Sequence, residues 1–372
     1  MSDILTPGTE DPINAAAAAA LSSVHSSNLP QILQQIRATL LITTYQAGKL
    51  IVARADQSTL NTHFVQFAKP MGLASEPGRL MVGSATGIHV FRDVPSLAGR
   101  LALPGHHDAV YAERHYHVTG DIDIHEMGLD REGRCWFINT RFSCLCTLDA
   151  AHSFVPRWWP SFVSALAPED RCHLNGLAMV DGAPRYVTAL GATDTPRGWT
   201  ANKKNGGLLL DVQSGETIVG GLSMPHSPRV HRGALWVLES GTGTLARVDQ
   251  QSGHVEAVAR VPGFARGLDF AGPLAFIGLS QLRETNAFTD IPITNDNADR
   301  MSGVWVVHIE TGKTVALLKF NNAVQEIFAV QLLANVQYPD VLRADHELLR
   351  TTYVLPDARL KDVYVPQGPG SA

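Results

Sequence analysis

The feature that most constrains this chain is a phrase that keeps returning: a polar residue, a short apolar strand, a turn holding glycine or proline, then a second apolar strand and another turn. KPMGLASEPGRLMVGSATGIHVF begins at Lys69, HEMGLDREGRCWFINTRFSCLCTLD at His125, HLNGLAMVDGAPRYVTALG at His173 and PHSPRVHRGALWVLESGTGTLARVDQQSG at Pro225. FARGLDFAGPLAFIGLSQLRE follows at Phe264 and resumes, after an insertion, as GVWVVHIETGKTVALLKF at Gly303; a truncated sixth copy, VQEIFAVQLL, starts at Val324. Anchored on Gly72, Gly128, Gly176, Pro228 and Gly267, the copies lie 56, 48, 52 and 39 residues apart. Self-similarity at such intervals marks a repeat fold, and alternating β-branched and aromatic residues broken by EPG, REG, DGAP, HRG and AGP turns read as short antiparallel hairpins.

An isolated four-stranded sheet leaves two edges exposed, and a radial array of such sheets protects them. The expected architecture is therefore all-β, a six-bladed β-propeller. The N-terminal strands in TLLITTYQAGKLIVARAD and THFVQFA belong to no complete copy, and the sixth copy is short. Together they make one blade, so strands from both termini close the ring. A seventh blade would need a further unit between residues 101 and 119. Residues 1–30 read as a flexible leader, 31–355 as one propeller domain and 356–372 as a tail; helical periodicity is confined to Leu29–Leu40 and Leu342–Arg350.

Composition removes several classes of function. A net charge of -5 and a pI near 6.3 give no basic field for a phosphate backbone, so nucleic acid is not an expected partner. No apolar run reaches the roughly 20 residues that span a bilayer, and the first residues have no export pattern, so the expectation is a cytoplasmic chain without membrane contact. Cys135, Cys144, Cys146 and Cys172 then read as reduced, buried thiols, because the C-x-C spacing lacks a structural zinc loop.

The start of a propeller's innermost strand lies near the central axis, so polar residues there become neighbours across blades. The copies begin at Lys69, His125 with Glu126, His173 with Asn175, His226, Arg266, and Gln325 with Glu326. An unpaired buried polar group costs on the order of 1–3 kcal/mol. Polar residues recurring at these starts therefore suggest a site. His125, His173 and His226 are expected as ligands of a divalent transition metal (iron, copper or zinc), Glu326 as ligand or general base, and Arg266 as holder of a substrate carboxylate or of developing charge. Three loops carry further candidates for the substrate. Asp108, Arg114 and His117 lie in the His-rich segment 106–126, Asp194, Arg197 and Trp199 in GATDTPRGW, and the insertion at 282–300 reads as a lid or partner surface. Asn175 belongs to the same substrate-facing set. No Ser/His/Asp order, nucleotide-binding glycine loop or zinc-protease helix is evident.

TYQAGKL at Thr44, TGDIDIHE at Thr119, NTRFSCL at Asn139, CHLNGLAM at Cys172, VTALGATDTPRGW at Val187, MPHSPR at Met224, GFARGLDF at Gly263 and VQEIF at Val324 resemble, in this order, a family of bacterial conserved hypothetical proteins with a propeller-like core. HLNGLAM followed by YVTAL is also similar to the Asn-Gly-Leu strand start of gluconolactonase and strictosidine-synthase-like six-bladed propellers. That similarity implies a divalent ion at the channel mouth with carboxylate and amide ligands, and it carries over only to Asn175 and Glu326; this chain departs from it by offering histidines. The resulting expectation is a metal-dependent enzyme of hydrolase or lyase type acting on a small molecule or peptide. Its rivals are an iron- or copper-dependent hydroxylase and a non-catalytic propeller that binds a protein or peptide through exposed aromatics such as Trp158, Trp159 and Trp199.

Overall fold

The computed structural model describes residues 21–103, 105–281, 291–294 and 300–363. Alternation along each apolar run sends successive side chains into different layers. Leu41 and Val52 meet Leu80 and Phe91, whereas Leu40, Ile42 and Ile51 face the other way, onto Phe276 and Val306. A strand buried on both faces has no solvent side, which is why Ala38–Thr44 is buried at every position. Repeated around the chain, this rule produces six apolar wedges, each lying between two neighbouring sheets.

The result is the six-bladed propeller the repeats predict. Blade 1 joins the termini: Ala329–Ala334 is its innermost strand, followed outward by Ala38–Thr44, Lys49–Asp56 and Thr59–Gln66. Six consecutive antiparallel pairs, from Thr43–Ala329 to Ala38–Ala334, close the ring. Blades 2 to 5 start at Leu73, Ile124, Leu174 and Pro225, and blade 6 at Phe264. Each innermost strand packs on the next, and that of blade 6 on that of blade 1.

Two additions were not legible in the repeats. Ser23–His25 pairs antiparallel with Lys313–Phe320 as a fifth strand of blade 6, and Pro339–Leu342 lies parallel to Ala109–Ala112 at the rim of blade 2. Residues 21–30, taken with the leader on composition, thus contribute an edge strand and the first turn of helix Leu29–Gln35, whose Leu29 and Leu33 are buried. Residues 1–20 of that leader, and 364–372 of the tail, lie outside the described residues. The second helical stretch forms only a short 3-10 turn, Glu347–Thr351.

Adjacent blades are stapled near the axis by a hydroxyl at the end of a blade's second strand. Thr43 Oγ1 donates to the Met71 carbonyl (2.5 Å), Thr140 Oγ1 to Leu174 (2.6 Å), Ser240 Oγ to Ala265 (2.5 Å) and Ser280 Oγ to Ile327 (3.0 Å). Lower in the channel, Glu126 pairs with Arg229 across the innermost strand of blade 4, and Arg229 also donates to the Leu177 carbonyl. Close approach of the innermost strands explains an anchoring glycine. A Cβ at Gly72 would lie 2.1 Å from the His125 carbonyl oxygen, whereas one at Gly128 would meet the bendable Met179 side chain at 2.5 Å. Gly72→Ala is therefore expected to destabilise the fold by about 1–3 kcal/mol. Gly128→Ala should cost less, because methionine re-packs readily. Urea midpoints of the two variants test this, and equal midpoints would contradict the close-approach account.

Candidate functional site

Backbone pairing settles which residues of the six blades are equivalent. Ile124, Leu174, Pro225 and Ala265 pair with Asn139, Ala189, Glu239 and Leu279, each at the end of a second strand or one residue before it. The staples end on Met71, Leu174, Ala265 and Ile327, which places these on the same level. One residue further along lies an inner layer: Gly72, His125, Asn175, His226, Arg266 and Phe328. One residue earlier lies an outer layer: Pro70, Asp123, His173, Met224, Phe264 and Glu326. The glycine anchors used on the sequence fall at different heights, because irregular pairing interrupts the innermost strands of blades 3 to 6.

Most of both layers lines one cavity of about 360 Å³ at the channel mouth, together with Tyr45, Lys69, Met71, Leu190 and Trp199. His125, His173 and His226 therefore do converge on one cavity, but not as three equivalents. His125 and His226 share the inner layer and flank Asn175, whereas His173 occupies the outer layer between Asp123 and Met224. Asp123, His173 and Met224 all take left-handed φ near +50°. For a side-chain-bearing residue that conformation costs roughly 1–2 kcal/mol. Strain of this kind, repeated at one level, is typical of a functional site.

Hydrogen bonding fixes how each ring is presented. His125 Nδ1 lies 2.8 Å from the Asp123 carbonyl and 2.8 Å from Thr140 Oγ1, whose proton goes to Leu174. His226 Nδ1 repeats the arrangement, at 2.9 Å from the Met224 carbonyl and 2.9 Å from Ser240 Oγ, whose proton goes to Ala265. Carbonyls only accept, so Nδ1 carries the hydrogen in both rings and Nε2 keeps its lone pair. His173 Nδ1 instead faces the Asp170 carboxylate at 3.0 Å, and Asp170 also accepts from Trp199 Nε1 at 3.1 Å. The His173 ring stands 5.0 Å from His125 and 4.6 Å from Trp199, centroid to centroid. Arg266 lies over the Phe328 ring at 3.6 Å, with its buried Nη2 unpartnered.

Burial sets the charges. It drives His125 well below the ordinary histidine range, helped by the Arg266 guanidinium, and it does the same to His226. Burial opposes the Asp123 carboxylate, yet His125 and Lys69 hold it below the usual aspartate range; because His125 is kept neutral, the Lys69 ammonium at 3.2 Å is the partner that counts near neutral pH. Among the described residues, no group of three or more His, Cys, Asp or Glu side chains is placed to hold a metal ion.

The loop candidates divide. Trp199, 4% exposed, is a cavity wall, and Glu326 and Arg266 are in the lining. Asn175 is buried in the inner layer, accepting from Thr188 while its Nδ2 has no partner, and it is not in the cavity lining. Asp108 instead accepts from the Gln337 and Tyr338 amides at the rim of blade 2, so it anchors the parallel edge strand. Arg114 and His117 lie in the outer strand Ala109–Val118, where His117 reaches the Ser153 carbonyl at 3.0 Å. Asp194 is occupied by Arg171 and the Ser164 amide, and Arg197 is exposed. None of these five lines the cavity. Of the expected lid, residues 282–290 and 295–299 lie outside the described residues, while Ile291 and Ile293 pack on Leu190, Trp199, Met224 and Phe264. All four cysteines are buried and unbridged, with Cys144 and Cys146 on one strand.

Sequence reasoning missed Asp123, Asp170, Thr140 and Ser240. The available signal was the spacing from each inner-layer histidine to a hydroxyl just past the second strand, His125 to Thr140 and His226 to Ser240. Because both rings are held neutral in the fold, the unfolded chain takes up protons first once pH falls below about 6.5, and stability must drop. Between pH 7 and 5 the loss is expected to reach at most about 2 kcal/mol per ring. His226→Asn, which copies the residue of blade 4, should flatten this slope in denaturant titrations; an unchanged slope would contradict the assignment.

No curated protein matches the sequence. Among solved structures, the chain is similar to one titled "Crystal structure of Nidogen/Laminin Complex", with TM-score 0.51, 11% identity, 80% of this chain and 99% of that chain covered. It is also similar to a protein of unknown function from Bacteroides caccae (TM-score 0.47, 11% identity, 80% and 98% covered) and to a catalytically inactive virginiamycin B lyase from Staphylococcus aureus with quinupristin (TM-score 0.41, 13% identity, 80% and 98% covered). At these identities the likeness concerns the fold alone, and the first of them agrees with the propeller architecture. No helix among the described residues is long and apolar enough to cross a membrane. Residues 27–342 match the family described as a domain of unknown function, DUF4915, and the chain belongs to that family.

Proposed function

We propose that the mouth cavity is the active site of an enzyme that moves a proton on a small organic anion, in a reaction of elimination or hydrolytic type. The observation that carries this reading is the His173–Asp170 pair. Asp170 orients the imidazole through Nδ1, which leaves Nε2 to exchange a proton with a bound molecule, the geometry required of a general acid or base. Arg266 lies in the same lining with an unpartnered Nη2, suited to an anionic group or to charge that develops as the proton leaves. Trp199, Phe264 and Phe328 supply apolar walls, and a space of about 360 Å³ suits a small molecule better than a folded partner.

The iron, copper or zinc of the sequence reading would use this same site. His125, His173 and His226 all have Nδ1 engaged, as metal-bound histidines do, and would offer Nε2, with Glu326 beside them. The Arg266 guanidinium in the same lining counts against a cation and the Asp123 and Glu326 carboxylates for one; because no three His, Cys, Asp or Glu side chains among the described residues are placed together as ligands, the metal-free acid–base reading is preferred, and the hydroxylase alternative depends on the metal. The test is proton-NMR depletion of mixtures of small carboxylates by protein purified without chelator or histidine tag, alongside its metal content. Turnover is expected in the wild type and a fall of about 100-fold or more in His173→Gln. Unchanged turnover in that variant would contradict the reading. One tightly held transition metal per chain, lost in His125→Asn, would replace it with the metal-dependent one.

A further inference from the structure

The inner layer sets hydrogen-bond acceptors beside a donor at the channel mouth. His125 and His226 each present an acceptor, because their Nδ1 hydrogens are committed to the Asp123 and Met224 carbonyls. Between them stands Asn175, 2% exposed and outside the cavity lining. Beyond His226 stands Arg266, in the lining, whose Nη2 is buried without a partner. The cavity thus meets two acceptors and a donor from blades 3, 5 and 6. Polar groups left unpaired in so buried a layer are what a ligand of complementary polarity would satisfy.

We infer that this layer binds a hydroxyl-bearing carboxylate, with the carboxylate on Arg266 and its hydroxyl hydrogens given to Nε2 of His125 and His226. A bare carboxylate satisfies only Arg266. An amine would bring its positive charge to Arg266, and a polyol without a carboxylate offers Nη2 only a neutral acceptor. A hydroxy acid serves all three groups, because each hydroxyl donates while its oxygen can still accept. Phe328, stacked under the guanidinium, keeps Arg266 directed into the layer and excludes water from one side. Thr140 and Ser240 are positioning residues for this arrangement. Each hydroxyl is turned toward the next blade's carbonyl, so toward the imidazole it can only accept, which reinforces the Nδ1–H form.

The inference rests on the reading of the mouth as an active site, but it is tested by binding alone. Histidine ¹⁵N spectra of the wild type at pH 7 should show His125 and His226 as neutral rings protonated on Nδ1. Titration with glycerate should shift the Nε2 resonances of both, whereas propanoate, the same chain without hydroxyls, should leave them in place and bind at least about tenfold more weakly. Glycerate binding should weaken by a similar factor in Arg266→Gln. It should persist in His173→Gln, the variant that removes turnover, so failure of binding and failure of catalysis are separable. Conservative Thr140→Ser should retain the Nδ1–H signature, while Thr140→Val should broaden or shift the His125 resonances. Imidazolium or Nε2–H rings in the wild type, equal binding of the two acids, or binding of neither would overturn the inference.

Discussion

The hydroxyl-to-carbonyl staple between neighbouring blades is the interaction on which the site depends. A propeller blade is held to the next mainly by apolar wedges, which are non-directional and fix depth along the axis poorly. Thr43, Thr140, Ser240 and Ser280 add direction: each ties the end of one second strand to a named carbonyl on, or just before, the next innermost strand. Two of the four also hold a histidine. Blade register and imidazole orientation are thereby set by the same oxygen atoms, so the layers at the mouth inherit their precision from the ring that carries them.

Further down the channel a charged network borders a second cavity of about 320 Å³, whose lining includes Glu126, Arg229 and Asp269 beside Leu177, Met179 and Val330. Arg229 pairs with Glu126 and reaches the Leu177 carbonyl, while burial raises the Asp269 carboxyl even as the Leu332 and Phe270 amides and Arg229 stabilise its ionised form. Removing one member of such a buried pair leaves an uncompensated charge, whereas the whole pair contributes little net stability. This network links blades 1, 3, 4, 5 and 6 beneath the cavity. The mouth above it, where burial keeps His125 and His226 neutral, also holds Lys69, Asp123, Glu326 and Arg266, and Glu126 acts on Arg266 from below.

Much of this was legible in the sequence, for identifiable reasons. Period-2 alternation and turn chemistry made the six hairpin copies visible, and the shortage of strands at each terminus made the shared closing blade deducible. The convergence of His125, His173, His226, Arg266 and Glu326 followed from their places at strand starts. The two-layer arrangement did not, because irregular pairing shifts register by a residue and places glycine anchors at different heights in different blades. The loop residues Asp108, Arg114, His117, Asp194 and Arg197 were drawn in by polarity alone, and polarity does not distinguish a residue that anchors an edge strand from one that meets a ligand. Asp170 and Thr140 stayed hidden because their importance lies in what they hold.

The most direct measurement is a crystal structure of the protein soaked with glycerate. The account predicts one molecule in the mouth cavity, its carboxylate against Arg266 and its hydroxyls within hydrogen-bond reach of His125 and His226. A metal ion bound by the three imidazoles, or glycerate found only on the outer surface, would contradict it.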